Sequence, residues 1–284
     1  MTSFRRITAI ALAAIMLLAL TACGGSSSKV SSGVEDGVLT VAMECAYAPY
    51  NWAQSDDSNG AVPIKDSSLY ANGYDVMMAK KLCEANGWEL EVVQLDWDSL
   101  IPAVQAGTID AVIAGQSMTS ERMEAVDFAG PYLYASIVCL ALDDSEYSDA
   151  AGLADLAGGS CTSQSGTIWY DSCLPQIADA DIQSPAESAP AMLMALASGT
   201  VDFVCTDMPT AQGALIAYPN MVILDFAGSG DDFEVSEEDI NIGISIRKGN
   251  TELLEALNSV LSDMTADDFN SLMAEAIAVQ PLSE

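Results

Sequence analysis

The chain is 284 residues long, half of its residues are apolar, and 41 acidic side chains outweigh 9 basic ones to give a net charge of −32. So acidic a chain excludes nucleic-acid backbones as partners and disfavours direct binding to anionic lipid. Histidine is absent from the sequence. That absence removes His-activated nucleophiles and most zinc chemistry, so we predict neither a metal nor another cofactor.

The N-terminal residues are typical of an export signal. Two arginines precede an apolar run over residues 7–20, which is too short and too abruptly ended for a membrane span. The run leads into Leu-Thr-Ala-Cys at residues 20–23, which resembles the bacterial lipobox, where the cysteine receives lipid. We therefore predict a signal peptide over residues 1–22 and a lipid (palmitate) anchor on Cys23 that holds the protein outside the cell membrane. An ordinary secretory signal with an incidental cysteine is the alternative.

The remainder of the chain is predicted to be a tethered body of two lobes. Residues 23–35 are rich in Gly and Ser and are typical of a flexible tether. The body that follows exceeds the usual size of a single domain. We predict a first lobe over residues 36–134, a second lobe over residues 135–240, and a return to the first lobe with C-terminal helices over residues 241–284.

Short β-rich runs alternate with helical patterns along this body. The predicted strands cover residues 38–43, 90–95, 111–115, 135–142, 201–206, 221–226 and 240–246. The predicted helices cover residues 75–86, 98–106, 189–198, 209–217 and 252–264. This alternation predicts an α/β fold with mostly parallel sheets.

One helix–turn–strand unit occurs twice. Residues 101–115 and residues 193–207 each contain a helical pattern, a Gly-Thr turn, an Asp and a short apolar strand. Ligands of open α/β sheets bind beyond the carboxyl ends of the strands. We therefore predict that Gly115 and Asp207, which end the two units, face a shared cleft between two similar lobes.

A series of motifs runs in a fixed order along nearly the whole body. They lie at residues 38–50, 73–76, 97–102, 107–115, 119–122, 126–128, 165–167, 201–207 and 243–249. This series resembles the polar amino-acid-binding members of the extracellular solute-binding proteins, family 3, which serve ABC importers. The resemblance implies the type II periplasmic-binding-protein fold, in which a hinge joins two α/β lobes around a ligand cleft. An insert over residues 55–72 departs from the family pattern.

The resemblance also implies the function and the site. The protein would work as a monomer that captures a polar amino acid and delivers it to an ABC permease and its ATPase. The implied ligand-binding residues are Glu44, Tyr47, Tyr50, Asn51, Trp97, Gly115, Ser117, Arg122, Thr167 and Asp207. Among them Arg122 would clamp the α-carboxylate, and Asp207 would hold the α-ammonium. Tyr47 and Trp97 would flank the ligand's side chain beside Glu44.

The chemistry of these residue types agrees with that implication. A zwitterion needs one fixed cation and one fixed anion, and the planar fork of arginine suits a carboxylate. Arg122 and Arg247 are the only arginines beyond the signal, and residues 123–246 contain no Lys or Arg. A surface position for Arg122 and a helix-capping role for Asp207 are the alternatives. An acid at Glu44 predicts a cationic side chain ahead of an amide, and acidic ligands last.

Two other functions are compatible with the same resemblance. One is a dehydratase-like enzyme, for which Glu44 and Asp207 are the candidate acid and base. The other is a ligand-binding partner of a separate sensor. The absence of histidine and of a further catalytic motif favours binding, so we predict that the chain is not an enzyme.

Six cysteines follow Cys23, and none forms a C-x-x-C pair, which argues against a metal site. They are Cys45, Cys83, Cys139, Cys161, Cys173 and Cys205. Disulfides between Cys161 and Cys173 or between Cys139 and Cys205 and buried free thiols both remain open from the sequence.

Overall fold

The structure, a computed structural model, describes residues 30–281. The predicted signal peptide and Cys23 lie outside the described residues. From Ser31 onward the described residues form one compact unit. Among them, no helix is both long and apolar enough to span a bilayer.

Strands and helices alternate along the described chain. The strands are β1 (Val38–Met43), β2 (Ala46–Tyr47), β3 (Asn51–Gln54), β4 (Val62–Pro63), β5 (Tyr70–Asn72), β6 (Glu89–Gln94), β7 (Ala111–Val112), β8 (Val126–Tyr134), β9 (Ile137–Leu142), β10 (Ser160–Thr162), β11 (Asp181–Ile182), β12 (Phe203–Asp207), β13 (Met221–Leu224) and β14 (Asn241–Arg247). The α-helices are α1 (Tyr74–Asn86), α2 (Trp97–Ala106), α3 (Ser120–Ala125), α4 (Ala189–Ala197), α5 (Met208–Ala217), α6 (Glu237–Ile240), α7 (Thr251–Leu261) and α8 (Ala266–Val279). The α/β class predicted from the alternation is confirmed.

Two five-stranded sheets organise these elements. The first has the order β6-β1-β7-β14-β8, and the second has the order β11-β10-β12-β9-β13. In the first sheet β1 pairs in parallel with β6 and β7, whereas β14 pairs antiparallel with β7 and β8. The second sheet likewise has two parallel and two antiparallel pairings. Four of the five strands in each sheet therefore run in the same direction, as the expectation of mostly parallel sheets has it, and only the strand that enters from the other sheet, β14 or β9, is reversed.

Sheet membership changes twice along the chain. The first change lies between β8 and β9, and the second lies between β13 and β14. We call the part built on the first sheet lobe 1 and the part built on the second sheet lobe 2. The predicted boundaries at residues 134/135 and 240/241 fall at these two changes, and as domain limits they remain a prediction that the topology supports.

Buried apolar residues fill both sheets. In β9, at the centre of lobe 2, the residues from Ile137 through Ala141 are all buried. Around lobe 1 the helices bury one stripe each; α7, for example, buries Leu253, Leu257 and Leu261 at a spacing of four residues. This spacing places the three leucines on one face of the helix, where their burial drives its packing.

The predicted insert contributes β4 and β5 to a small sheet on lobe 1, which they form with β2 and β3 of the preceding turn. The strand order of this small sheet is β2-β3-β5-β4. An isolated parallel bridge between Ile64 and Val92 joins it to β6. The insert is therefore an ordered extension of lobe 1, and the first strand of the small sheet belongs to the turn that follows Glu44.

The end of the predicted tether packs against the body. Arg247 donates through Nη2 to the carbonyl oxygen of Ser31 at 2.8 Å, and Asn250 donates through Nδ2 to that of Ser32 at 3.0 Å. Ser32 itself is buried. The last residues of the predicted tether thus contact the body.

All six cysteines of the described residues are free thiols, and all six are buried. Cys139 of β9 lies directly opposite Cys205 of β12 in the sheet register. The structure thus has the second of the two arrangements that the sequence left open.

Candidate functional site

The predicted site residues lie where strands end or loops begin, on both lobes. Glu44 directly follows β1, and Trp97 is the first residue of α2, just after β6. Arg122 lies in α3, whose N-cap Thr119 accepts a hydrogen bond from the Arg122 backbone N–H at 3.2 Å. Asp207 is the last residue of β12. Lobe 1 therefore contributes Glu44, Trp97 and Arg122, whereas lobe 2 contributes Asp207.

A pair of tyrosines from lobe 1 contacts lobe 2. Tyr47 and Tyr50 stack with ring centroids 4.8 Å apart and ring planes inclined by 19°. The hydroxyl of Tyr47 accepts a hydrogen bond from Thr210 Oγ1 at 3.0 Å, and that of Tyr50 donates to Asp207 Oδ2 at 2.7 Å. Both tyrosines are buried, so the pair forms a wall of the interface between the lobes.

Asp207 is a buried carboxylate that has no basic partner among the described residues. Its Oδ2 accepts from Tyr50, and its Oδ1 accepts from the backbone N–H of Thr210 at 2.9 Å, which makes Asp207 the N-cap of α5. Burial raises the pKa of Asp207, and the hydrogen bonds from Thr210 and Tyr50 counteract that rise. The capping role considered from the sequence is real, yet it occupies only one of the two carboxylate oxygens.

The guanidinium of Arg122 bridges the lobes. It donates through Nη1 to the carbonyl oxygen of Ser117 at 2.8 Å and through Nη2 to that of Gly166 at 2.9 Å. It also stacks on the ring of Trp97, with Cζ 5.4 Å from the ring centroid. Burial lowers the pKa of Arg122 to about 10, while Glu121 and Asp171 act in the opposite direction. The group stays cationic at neutral pH, and these two bonds leave other N–H donors of the fork for a ligand.

Glu44 is the second buried acid of the site. Its side chain is 7% exposed, and its Oε2 atom is buried without a hydrogen-bond partner among the described residues. Burial raises the pKa of Glu44 to about 7; the side chain of Gln164 opposes this shift, and Asp96, Asp75 and Asp98 add to it. Glu44 is therefore a buried acid at the interface between the lobes, and the side chain of Gln164 is a neighbour that favours its ionised form.

Asn51 and Gly115 belong to a hydrogen-bond network inside lobe 1. Asn51 accepts from the backbone N–H of Cys45 at 2.8 Å and donates to Asp75 Oδ2 at 2.7 Å. The hydroxyl of Tyr132 accepts from the backbone N–H of Gly115 at 3.0 Å and donates to Asp75 Oδ1 at 2.6 Å. Burial raises the pKa of Asp75 to about 7. The polar groups of Asn51 and the amide of Gly115 are thus already engaged within the protein.

Gly115 also has a steric role. Its φ is +65°, and a Cβ atom there would lie 2.9 Å from Cε1 of Tyr47 and 3.1 Å from Cδ1 of Tyr50. Only glycine fits beneath the stacked tyrosines in this left-handed conformation. β7 ends at Val112, so it is shorter than the predicted strand over residues 111–115.

Ser117 and Thr167 flank Arg122 from the two lobes. Both are buried. Ser117 supplies the carbonyl oxygen that Arg122 binds, and the Thr167 hydroxyl donates to the carbonyl oxygen of Gln164 at 2.7 Å. Ser117 therefore positions Arg122 through its backbone, and Thr167 stabilises the turn that carries Gly166.

Two cavities adjoin the Arg122–Trp97 stack. One, of about 490 Å³, is lined by Arg122, Thr119, Gly166, Thr167 and Asp171 among others. The other, of about 620 Å³, is lined by Glu44, Trp97, Gln94, Asp96, Asp98 and Glu187 among others. Six of the predicted site residues line neither of these two cavities: Tyr47, Tyr50, Asn51, Gly115, Ser117 and Asp207. A further cavity of about 670 Å³, between α1, α7 and α8, contains none of the predicted residues.

Three residues of this constellation were not predicted from the sequence: Asp75, Tyr132 and Gln164. Asp75 follows a glycine at the start of α1, where an acid ordinarily favours the helix dipole and gives no sign of burial. Gln164 directly precedes the Ser-Gly-Thr motif at residues 165–167. Gln164 comes close to Glu44 only because the two lobes contact each other in the folded protein.

The chain matches the family model of the bacterial extracellular solute-binding proteins, family 3, over residues 39–275. A probable histidine-binding protein of Campylobacter jejuni is 30% identical over 208 residues, which cover 72% of this chain and 75% of that protein. The family match covers most of the described residues, including every predicted ligand-binding position.

Solved structures resemble it as well. An ancestral arginine-binding protein bound to arginine is 28% identical, with a TM-score of 0.65 and coverage of 84% of this chain and 97% of that one. An ancestral amino-acid-binding protein, described as a precursor of cyclohexadienyl dehydratase, is 27% identical, with a TM-score of 0.68 and coverage of 86% and 97%. The predicted two-lobed architecture is therefore confirmed.

Proposed function

The chain belongs to the bacterial extracellular solute-binding proteins, family 3, and on that premise we propose that it captures a free amino acid between its two lobes and delivers it to an ABC importer. The relatives named above are a histidine-binding and an arginine-binding protein. The ligand proposed here is accordingly an amino acid with a polar side chain.

One observation carries the proposal. Asp207 of lobe 2 is a buried anion without a basic partner among the described residues, and Arg122 of lobe 1 is a cation at the same interface with donors to spare. An α-amino acid supplies the complement of both, since its ammonium suits Asp207 and its carboxylate suits the Arg122 fork. Burying either charge alone is unfavourable, so a zwitterion stabilises the pair together.

The ligand's side chain is proposed to lie near Glu44. Tyr47 and Trp97 supply aromatic faces beside it, and the Glu44 Oε2 atom is a buried hydrogen-bond acceptor. Side chains that donate a hydrogen bond, cationic or amide, fit this environment, whereas an acidic side chain meets a like charge. Tyr50, Asn51 and Gly115 are proposed to hold this wall in shape from within lobe 1.

The protein is further proposed to act as a lipoprotein monomer. Cys23, the cysteine of the lipobox-like motif, is the site of the lipid anchor (palmitate), and the signal peptide over residues 1–22 is removed. The anchor would keep the protein outside the cell membrane beside its permease and ATPase. Substituting Cys23→Ser and following the partition of the protein into detergent tests this part on its own.

A panel of the common amino acids in a thermal-shift assay tests the binding function. Ligand at about 100 times its dissociation constant is expected to stabilise the folded state by about 2.7 kcal/mol, which raises the melting temperature by a few degrees. We expect polar side chains to give the largest shifts and glutamate and aspartate the smallest. A folded protein whose melting temperature responds to no amino acid contradicts the proposal.

Binding without catalysis is the proposed activity. The likeness to a dehydratase precursor makes one enzymatic reaction specific enough to test. Incubation with prephenate or arogenate is expected to give no product, because a catalyst would need Glu44 and Asp207 as an acid–base pair and Asp207 is already tied to Tyr50 and Thr210. Formation of the aromatic product would establish the enzymatic alternative.

A further inference from the structure

A chain of hydrogen bonds inside lobe 1 connects two turns, one at Cys45 between β1 and β2 and one at Gly115 after β7. At the first turn the backbone N–H of Cys45 donates to Asn51 Oδ1 at 2.8 Å. At the second turn the backbone N–H of Gly115 donates to the Tyr132 hydroxyl at 3.0 Å. Between them Asp75 accepts from Asn51 at 2.7 Å and from Tyr132 at 2.6 Å. Both ends of the chain therefore donate inward, toward Asp75.

The middle of such a chain requires a group that accepts on both sides. An ionised carboxyl group only accepts, whereas an amide of the same shape presents a donor on one side. Asn51, Asp75 and Tyr132 are all fully buried. A group with the wrong donors at this place would therefore leave a buried polar atom unpaired, which is costly.

We propose that Asp75 is a positioning residue for the amino-acid site, because its carboxylate fixes the turn at Cys45 and the turn at Gly115 relative to each other. This role rests on the proposed binding function. Asp75 would serve that function from inside lobe 1, without touching the ligand.

Both turns lead directly to groups that the proposed ligand would meet. The first turn begins next to Glu44 and continues into Tyr47. The second turn lies beneath the tyrosine pair, since a Cβ atom on Gly115 would be 2.9 Å from the ring of Tyr47. Two residues after Gly115, the carbonyl oxygen of Ser117 accepts from Arg122 at 2.8 Å. A shift of either turn would therefore move the site.

The backbone of Asp75 adds a third connection. Its N–H donates to the carbonyl oxygen of Tyr50 at 2.8 Å, and the hydroxyl of the same tyrosine donates to Asp207. A Cβ atom on Gly73 would lie 2.4 Å from that carbonyl oxygen, so the start of α1 packs directly against this segment. Asp75 is thus bonded, through its side chain and its backbone, to every part of lobe 1 that carries the tyrosine pair.

The hydrogen bonds favour the ionised form of Asp75 against the effect of burial. Burial raises the pKa of Asp75 to about 7, and the charge of Asp207 adds to the rise. The side chains of Tyr132 and Asn51 and the backbone N–H of Gly115 lower it. In the observed arrangement these three partners all donate, so a proton on Asp75 would displace one of them.

Exchanging the side chains of positions 51 and 75 tests the inference, because the exchange moves the double acceptor and keeps the bonds. In Asp75→Asn alone, one donor of the chain is left without an acceptor. In the double variant Asn51→Asp/Asp75→Asn, the carboxylate at position 51 accepts from Cys45 and from the amide at position 75. The oxygen of that amide accepts from Tyr132. Every link is kept, and the net charge is unchanged.

Calorimetric titration with the common amino acid that binds wild-type protein most tightly measures the effect. Asp75→Asn is expected to lower the affinity at least about tenfold, because a mismatched link displaces one of the turns. Asn51→Asp sets two buried carboxylates against each other and should cost as much. The double variant should return to within about threefold of wild type.

Asp110→Asn is the matched control. Asp110 also accepts a backbone N–H within lobe 1, that of Thr40 at 2.8 Å, but it lies before the start of β7 rather than after its end. Its substitution by asparagine should leave the affinity for the same amino acid unchanged. If Asp110→Asn loses as much affinity as Asp75→Asn does, the loss is a general effect on lobe 1 and the inference is overturned.

Two further results would overturn the inference while the amino-acid site stands. One is wild-type affinity in Asp75→Asn. The other is a double variant that does not fold, as judged by circular dichroism, or that binds no better than Asp75→Asn. If Asp75→Asn does not fold by itself, recovery of folding and binding in the double variant supports the inference. If no common amino acid binds wild-type protein, the proposed function fails and the inference fails with it.

Discussion

Lobe 1 and lobe 2 share one sheet plan but differ in charge. In each sheet four strands run in one direction and the fourth strand in the order is reversed, as in β6-β1-β7-β14-β8 and β11-β10-β12-β9-β13. Yet residues 123–246, which contain all of lobe 2, have no Lys or Arg. Sheet architecture therefore does not determine which charge a lobe brings to the interface. In this protein lobe 1 alone can supply a cationic side chain to the interface. Lobe 2 contributes Asp207 and backbone carbonyl oxygens.

The largest expected effect tests lobe 1 as the only source of the cation. Arg122→Ala removes the proposed carboxylate clamp from a partly buried site, and such a loss costs about 2–5 kcal/mol of binding free energy, or at least about thirtyfold in affinity. Calorimetric titration with the best ligand of the amino-acid panel measures it. Arg247→Ala removes the only other arginine of the described residues and should leave affinity nearly unchanged. If wild type and Arg122→Ala bind the ligand with equal affinity, Arg122 of lobe 1 does not supply the cation that binds it.

The next effect concerns the buried acid of lobe 1. The folded-state pKa of Glu44, about 7, lies above the ordinary value of 4.5, so ionising Glu44 destabilises the folded protein as the pH rises from about 4.5 through 7. Glu44→Gln should therefore raise the free energy of unfolding at pH 8 by up to about 3 kcal/mol and change it little below pH 4.5. Urea unfolding of ligand-free protein at several pH values measures this difference.

Glu89→Gln is the control for that series, because it neutralises an exposed carboxylate of the same lobe. Its effect on unfolding should stay within about 0.5 kcal/mol at every pH. If the effect of Glu44→Gln on the free energy of unfolding does not grow between pH 4.5 and pH 7, the folded-state pKa of Glu44 is not raised.

The smallest of the three effects tests the anion of lobe 2. Asp207→Asn keeps an oxygen that can cap α5 and accept from Thr210, but it removes the charge that would pair with an ammonium. The expected loss is about 1.5–3 kcal/mol, or roughly ten- to a hundredfold in affinity for amino acids. A desamino analogue of the ligand should bind wild type and Asp207→Asn alike. If the variant binds the amino acid as tightly as wild type does, lobe 2 contributes no charge to recognition.

The sequence predicted the bounds of the helices and strands far better than the way in which the strands pair. The predicted strand over residues 38–43 and the predicted helix over residues 75–86 match β1 and α1 to within one residue. Hydrophobic periodicity and turn residues are local signals and suffice for such elements. The direction in which β14 pairs depends on the route of the whole chain, and no local pattern records it.

The same distinction separates the site residues. Arg122 and Asp207 stand out in the sequence because the first is one of only two arginines beyond the signal and the second ends a repeated unit. Asn51 was expected to line the pocket, but the structure engages it with Asp75. Gln164 gave no signal, since its significance depends on a residue 120 positions away on the other lobe. Contacts between lobes are long-range properties that single-residue reasoning does not reach.

The hydrogen bond from Tyr50 to Asp207 bears on how tightly any ligand can be held. The carboxylate has two donors within the protein, one from each lobe. An incoming ammonium would exchange with these hydrogen bonds or join them, so the affinity would be a difference between two hydrogen-bonded states. Weakening the resident bond, for instance through Tyr50→Phe, would lower the competition for Asp207 while keeping the ring. A binding protein that must release its ligand to a permease benefits from this internal hydrogen bond, because Tyr50 and Asp207 can re-form it as the ligand departs.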